Sequence, residues 1–216
     1  MDAVESILYI KLHSVNMVKF TAREIRDIII SLLVISLAFD YIINGRDLDA
    51  TIANFGYMVV VVGFGFVLHE LAHKFTAIRY GYWAEYKMWF QGLILALITS
   101  YFGFVFAAPG AVYIHGYNIK KSENGIISLA GPATNIILAV LFLMAMPLAA
   151  QYNLLGLAVL GATINSFLAV FNLIPLVVLD GAKIFRWNPL IWIASMVLAL
   201  ILLAYSLFGV NIFSML

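Results

Sequence analysis

Two histidines one helical turn apart, with a glutamate beside the first, stand in "FGFVLHELAHKF", Phe64 to Phe75. At positions i and i+4, His69 and His73 share one helix face, where both imidazoles can hold a single zinc ion. A catalytic zinc keeps one coordination position for water. Glu70 is adjacent in sequence but is not a ligand, and it can take the proton of that water as it attacks a carbonyl. The run before them, "YMVVVVGFGFVL", would be at home in lipid. Ionisable groups are rare in such surroundings and mark function.

Zinc needs a third protein ligand. The candidates are Asp180 in "LVVLDGAK", His115 in "YIHGYN", Glu85 in "WAEYK" and Asp40 at the end of an earlier apolar run. His115 and Glu85 lie in polar, aromatic loops, where solvation accounts for them. Asp40 reads as a carboxylate at the membrane interface. Asp180 ends a run that is apolar apart from Asn172 and Pro175, so its charge has to be compensated. A helix cap at "DGAK" is the other reading of Asp180.

The elements that must carry these residues are membrane helices. The chain has 216 residues, 64% hydrophobic and 11% charged, against roughly 45–50% and 25% in a soluble domain. Mean hydropathy is +1.04. A soluble core cannot hide that much apolar surface. A net charge of +1 argues against nucleic acid as a partner. With no cysteine, disulfides and thiolate metal sites are excluded. "MDAVESILYIKLHSV" begins acidic and lacks a long apolar core, so the first membrane helix is expected to serve as the insertion signal.

The expected organisation is an N-terminal cytoplasmic segment, 1–20, and one membrane-embedded domain, 21–216. The fold class is all-α and polytopic, with about five spanning helices, one re-entrant or interfacial apolar segment and a possible small β element. The first span runs from a capping box at Thr21 and Glu24 to the helix-ending Asn44-Gly45. The second, from about Ile52 to Arg79, carries the histidines. "RYGYWAEYKM" reads as a polar loop. Further apolar stretches cover Trp89–Ala108, Gly125–Met146, a segment from Leu154 broken at "NLIPLVVLDGAK", and Pro189–Phe208.

"HELAH" in an apolar helix, followed by "AGPATN" and then "FNLIPLVVLDG", resembles the site-2 protease family of intramembrane zinc metalloproteases. The likeness extends from about Gly56 to Lys183. It implies one zinc per chain on His69, His73 and Asp180, with Glu70 as the catalytic acid/base. It also implies that Asn172 helps to hold the substrate backbone. The implied partners are the lipid bilayer and a membrane-protein substrate with a transmembrane segment. The implied location is the cell membrane, with several passes.

Parity constrains the topology. For Asp180 to share a metal with His69, the helix of the histidines and the segment ending at Asp180 must exit on the same side. Only one of the two stretches between them can then cross. Trp89–Ala108 contains Gln91, Ser100 and Gly103 and ends in Pro109-Gly110, so it is expected to be re-entrant and partly extended near "GFVFAAPGAVYI". Lys74, Arg79, Lys87, Lys120, Lys121, Lys183 and Arg186 then share that side, which the positive-inside rule makes cytoplasmic together with the N-terminus. The competing reading is a membrane metal-ion carrier using the same His/His/Asp site. Carriers tend to show paired halves with matching broken helices, and no such repeat is visible here.

Overall fold

The computed structural model describes residues 19–106, 108–116 and 118–209, so residues 1–18 of the expected N-terminal segment lie outside the described residues. Helix α1 spans Ala22–Ile43. Its expected capping box forms by half. The Glu24 amide donates to Thr21 Oγ1 at 3.1 Å, but the Glu24 carboxylate turns away to Lys74 Nζ and the Tyr86 amide. A buried ammonium is a stronger partner than an exposed amide. Asp40 is also corrected. It is buried in the protein rather than solvated at an interface, and its Oδ1 accepts a 2.6 Å hydrogen bond from Nδ2 of the C-cap Asn44.

Helix α2, Leu48–Arg79, begins earlier than the apolar pattern suggests, because Asp47 caps it by accepting from the amides of Asp49 and Ala50. Strand β1, Trp83–Met88, replaces the expected polar loop. Its alternation buries Ala84 and Tyr86 and turns Trp83, Glu85 and Lys87 outward. Helix α3, Phe90–Tyr101, and strand β2, Gly110–His115, follow. The strands pair antiparallel, from Trp83 opposite His115 to Met88 opposite Gly110.

That register decides the parity question. The chain leaves along β1 and returns along β2 to the level where it started. Between them the 12 residues of α3 cover about 18 Å at about 1.5 Å each, short of the roughly 30 Å hydrocarbon core. The Trp89–Ala108 excursion is therefore a hairpin and not a span.

Helix α4, Lys121–Gln151, contains Pro132 and Pro147 and outruns the expected Gly125–Met146 at both ends. Helix α5, Leu155–Leu173, stops before Pro175, which cannot donate to a continuing helix. After two tight turns, helix α6, Asp180–Trp187, starts at the candidate ligand. A Cβ on Gly181 would collide with the Leu173 carbonyl, so glycine lets α6 pack against the end of α5. Helix α7, Pro189–Ala204, is capped by Asn188 and runs into a π-helical turn at Tyr205–Gly209.

Among the described residues, α2, α4, α5 and the continuous Pro189–Gly209 run are long and apolar enough to cross a membrane. Helix α1 has the length, 22 residues, but carries Glu24, Asp27 and Asp40 buried against its neighbours. Large apolar side chains cover the outer surface, among them Ile52, Met144 and Leu190. This is a polytopic helical membrane protein. Its main core, with Phe39, Val62, Phe66 and Ile164, lies where α1, α2 and α5 meet.

Candidate active site

The buried stripe of α2 near its C-terminal end is Phe66, His69, Glu70, His73, Lys74 and Ala77. These positions repeat every three or four residues, which places them on one face. His69 Nε2 and His73 Nε2 stand 3.0 Å apart. Asp180, from the first turn of α6, brings Oδ2 to 3.0 Å from His73 Nε2 and 3.4 Å from His69 Nε2. Among the described residues, this is the group of histidines and carboxylates close enough to share one ion.

The donors fit zinc. Ligand atoms at about 2.0–2.1 Å from one ion at tetrahedral angles stand about 3.4 Å apart, close to the separations found. Two imidazoles and one carboxylate leave the fourth position open, as in catalytic rather than structural sites. Gly131 of α4 completes the cradle. A Cβ there would stand 2.6 Å from His69 Nε2 and closer still to His73 Nε2.

The rings are held from behind. His73 Nδ1 donates to the Ile127 carbonyl at 2.7 Å, and His69 Nδ1 donates to Asn135 Oδ1 at 2.5 Å. Asn135 cannot flip, because its Nδ2 donates to the Gly65 carbonyl and to Asn165 Oδ1. Asn165 is fixed in turn by donating to the Gly161 carbonyl. Both Nδ1 atoms therefore carry the proton, and both Nε2 lone pairs face the site. Lys183 Nζ lies 3.5 Å from Asp180 Oδ1, which leaves Oδ2 to face the histidines. Asn135→Ala is expected to keep the fold and weaken zinc binding by roughly 10–100-fold. Metal titration against a competing chelator reads this directly, and unchanged affinity would remove Asn135 from the site.

Glu70 is buried, and its Oε2 has no hydrogen-bond partner among the described residues. An orphaned buried carboxylate oxygen beside three metal-type donors is costly unless a ligand or water meets it. Glu70, Asn172 and the metal group line one cleft of about 110 Å³ together with Pro109, Val112 and Ile114. Asn172 spends one Nδ2 hydrogen on the Leu168 carbonyl, at 3.0 Å, and keeps a second hydrogen and its oxygen.

The other third-ligand candidates fall elsewhere. His115 is exposed at the end of β2. Glu85 accepts from Thr21 Oγ1 at 2.9 Å, and Asp40 is bound to Asn44. The quoted "AGPATN" contains Gly131 and Asn135, but reading the sequence assigned neither a contact with the histidines, and it passed over Asn165. The available signal was an amide buried in each of two apolar helices, since such a group needs a partner.

Over 192 residues the chain is 41% identical to "Putative zinc metalloprotease MJ0611" of Methanocaldococcus jannaschii, covering 88% of this chain and 96% of that protein. The chain belongs to this zinc metalloprotease family. Two further relatives carry the same kind of name. "Putative zinc metalloprotease YwhC" of Bacillus subtilis is 28% identical over 149 residues, 59% of this chain and 67% of its own length. "Putative zinc metalloprotease Rip2" of Mycolicibacterium smegmatis is 32% identical over 101 residues, 40% of this chain and 39% of its own length. No family model and no solved structure matches. The metal of this family member is zinc, in agreement with its donor set.

Proposed function

We propose that this metalloprotease is of the site-2 type and hydrolyses peptide bonds within or near membrane-spanning segments of other proteins. The observation that carries the reading is the His69–His73–Asp180 group beside an unpaired buried Glu70, set in a bundle whose helices are long and apolar enough to span a membrane. Such a site has little to offer a soluble peptide, which would have to leave water to reach it.

Zinc, when bound, supplies Lewis-acid polarisation of the scissile carbonyl and brings the pKa of water toward neutrality. The residues of the chain do the rest. His69, His73 and Asp180 would hold the ion, with Nε2, Nε2 and Oδ2 as the atoms that converge. Glu70 takes a proton from the attacking water as the water oxygen bonds to the carbonyl carbon. That proton passes to the leaving nitrogen as the C–N bond breaks, giving a carboxylate and an amine. Asn172 offers its remaining N–H and its oxygen to the substrate backbone. A helical substrate hides its amides in internal hydrogen bonds, so it must unwind before it is cut. The extended β2 beside the cleft supports pairing with the unwound stretch.

Cleavage of a tagged membrane segment in liposomes, measured beside zinc content, tests this. Wild type is expected to cut. Asp180→Ala is expected to lose zinc and cleavage together. Asn172→Ala is expected to keep zinc and cut roughly 10–1000-fold more slowly. Zinc-loaded wild type that cuts no segment of a broad panel, yet moves metal across the liposome, would overturn the proteolytic reading.

The cell membrane is the proposed location, with the zinc end of the bundle cytoplasmic. Arg79, Lys87, Lys120, Lys121, Lys183 and Arg186 support this orientation. Lys74 drops out of that charge count, because it is buried against Glu24. Accessibility tags at Gly81 and next to Lys120 are expected to report the same, cytoplasmic face. Opposite faces would refute this placement.

A further inference from the structure

The mechanism leaves one buried carboxylate unused at the end of the bundle opposite the zinc. Asp40 stands in the last turn of α1 and is fully buried. Its Oδ1 accepts from Asn44 Nδ2, while its Oδ2 has no hydrogen-bond partner among the described residues. None of the ion pairs found among those residues includes it. A carboxylate withdrawn from water with no cation beside it is costly. Inside a membrane bundle such a group marks a functional site with a partner still to be met.

Asp40 lines a pocket of about 340 Å³, the size of a site for a small organic group rather than for a bare ion. Its polar lining is Asn44, Asn54, Tyr57 and Asn153, and its apolar lining includes Met58 and Leu157. One carboxylate, three amides and no basic side chain suit an ammonium group on an apolar stem, which is the chemistry of a lysine side chain. The pocket also communicates with the zinc. It shares Ile43, Gly156 and Leu160 with an apolar groove of about 720 Å³ lined by α1, α5 and α7. That groove shares Phe39 and Phe167 with the catalytic cleft, and these two rings meet edge to face at 5.8 Å. Met58 stands 12 residues before Glu70 on α2, so pocket and catalytic carboxylate lie about 18 Å apart along the axis.

We propose that Asp40 is a specificity residue that reads a lysine ammonium on the non-cytoplasmic side of the substrate's scissile bond, about 8–12 residues from it. Asn44 holds the carboxylate in place for this contact. The spacing follows from the distance to Glu70. A helix covers about 18 Å in 12 residues, and a segment unwound over three or four residues at the bond, at about 3.3 Å each, covers it in fewer. Basic residues concentrate at the cytoplasmic ends of membrane spans, so a site that asks for one at the outer end selects few segments among many. The inference rests on the proteolytic reading above and adds a feature by which that site would choose its substrate.

The test scans a single lysine along an otherwise lysine-free membrane segment, from the cleavage position to its outer end. Zinc-loaded wild type cuts these segments in phosphatidylcholine liposomes, whose headgroups carry no primary amine. With the lysine in the stated window, kcat/KM is expected to rise roughly tenfold over the lysine-free segment. The gain is expected in KM with kcat unchanged, as for an interaction that substrate and transition state share. Asp40→Asn keeps the shape of the side chain and can still accept from Asn44. It is expected to hold zinc and cut the lysine-free segment as wild type does, while the peak in the scan disappears. A flat scan with wild type would overturn the inference without recourse to any variant. A peak that survives Asp40→Asn would overturn the role of Asp40. Phosphatidylethanolamine is then added to the liposomes. If it changes the rate on the lysine-free segment in wild type and not in Asp40→Asn, and the lysine scan is flat, the pocket belongs to a lipid amine instead. Wild type that cuts no segment, the lysine-free one included, would sink the proteolytic reading and this inference with it.

Discussion

Glu70→Gln is expected to bind one zinc per chain, to melt no lower than wild type, and to cut a membrane segment roughly 10²–10⁴-fold more slowly. Each part has its own reason. The donors grouped closely enough to share an ion are those of His69, His73 and Asp180, so a change at Glu70 leaves them in place. The amide is nearly isosteric, and it exchanges a buried carboxylate with an unpartnered oxygen for a neutral group, which relieves a desolvation cost. What is lost is the proposed base. An amide cannot accept the proton of water or return it to the leaving nitrogen. The decisive measurement is turnover beside metal content and thermal melting. Wild-type turnover in a zinc-loaded Glu70→Gln protein would show that another group moves the proton.

Gly131→Ala is expected to abolish zinc binding, and cleavage with it. The ideal methyl position lies 2.6 Å from His69 Nε2 and nearer to His73 Nε2, closer than carbon and nitrogen approach without a bond. One or both rings must turn, and the Nδ1 bonds to Asn135 and Ile127 go with them. Alanine also favours a helix over glycine by about 1 kcal/mol. Loss of those buried bonds outweighs that gain, so the metal-free protein is expected to melt lower, and the missing zinc-dependent shift is what separates the effect from general damage. Melting with and without chelator reads it, because zinc stabilises only a chain that binds it. Gly156→Ala is the control, since a methyl there meets nothing within 4 Å. A Gly131→Ala protein that holds one zinc per chain would mean that α4 does not press on the histidines as described.

What could be read from the sequence was what local geometry determines. Apolar composition alone required a membrane fold. A helix period of 3.6 residues put His69 and His73 on one face whatever surrounded them. Thr21 and Asn44 bounded α1 because caps act within one turn, and Pro175 broke the helix before Asp180 because it has no amide to donate. Counting crossings required one of the two stretches before Asp180 to turn back, and Gln91, Ser100, Gly103 and Pro109-Gly110 pointed to Trp89–Ala108. Tertiary structure alone decided the partners. Asp180 reached the histidines from a distant helix and His115 did not, because packing of α4 and α5 on α2 set those distances. Asn135 became the support of His69 for the same reason. "WAEYKM" became a strand only because β2 lay opposite it, and Glu24 left its cap because Lys74 and the Tyr86 amide lay within reach. A buried charge or an unpaired edge is satisfied by whatever the fold brings to it, and spacing along the chain carries no record of that.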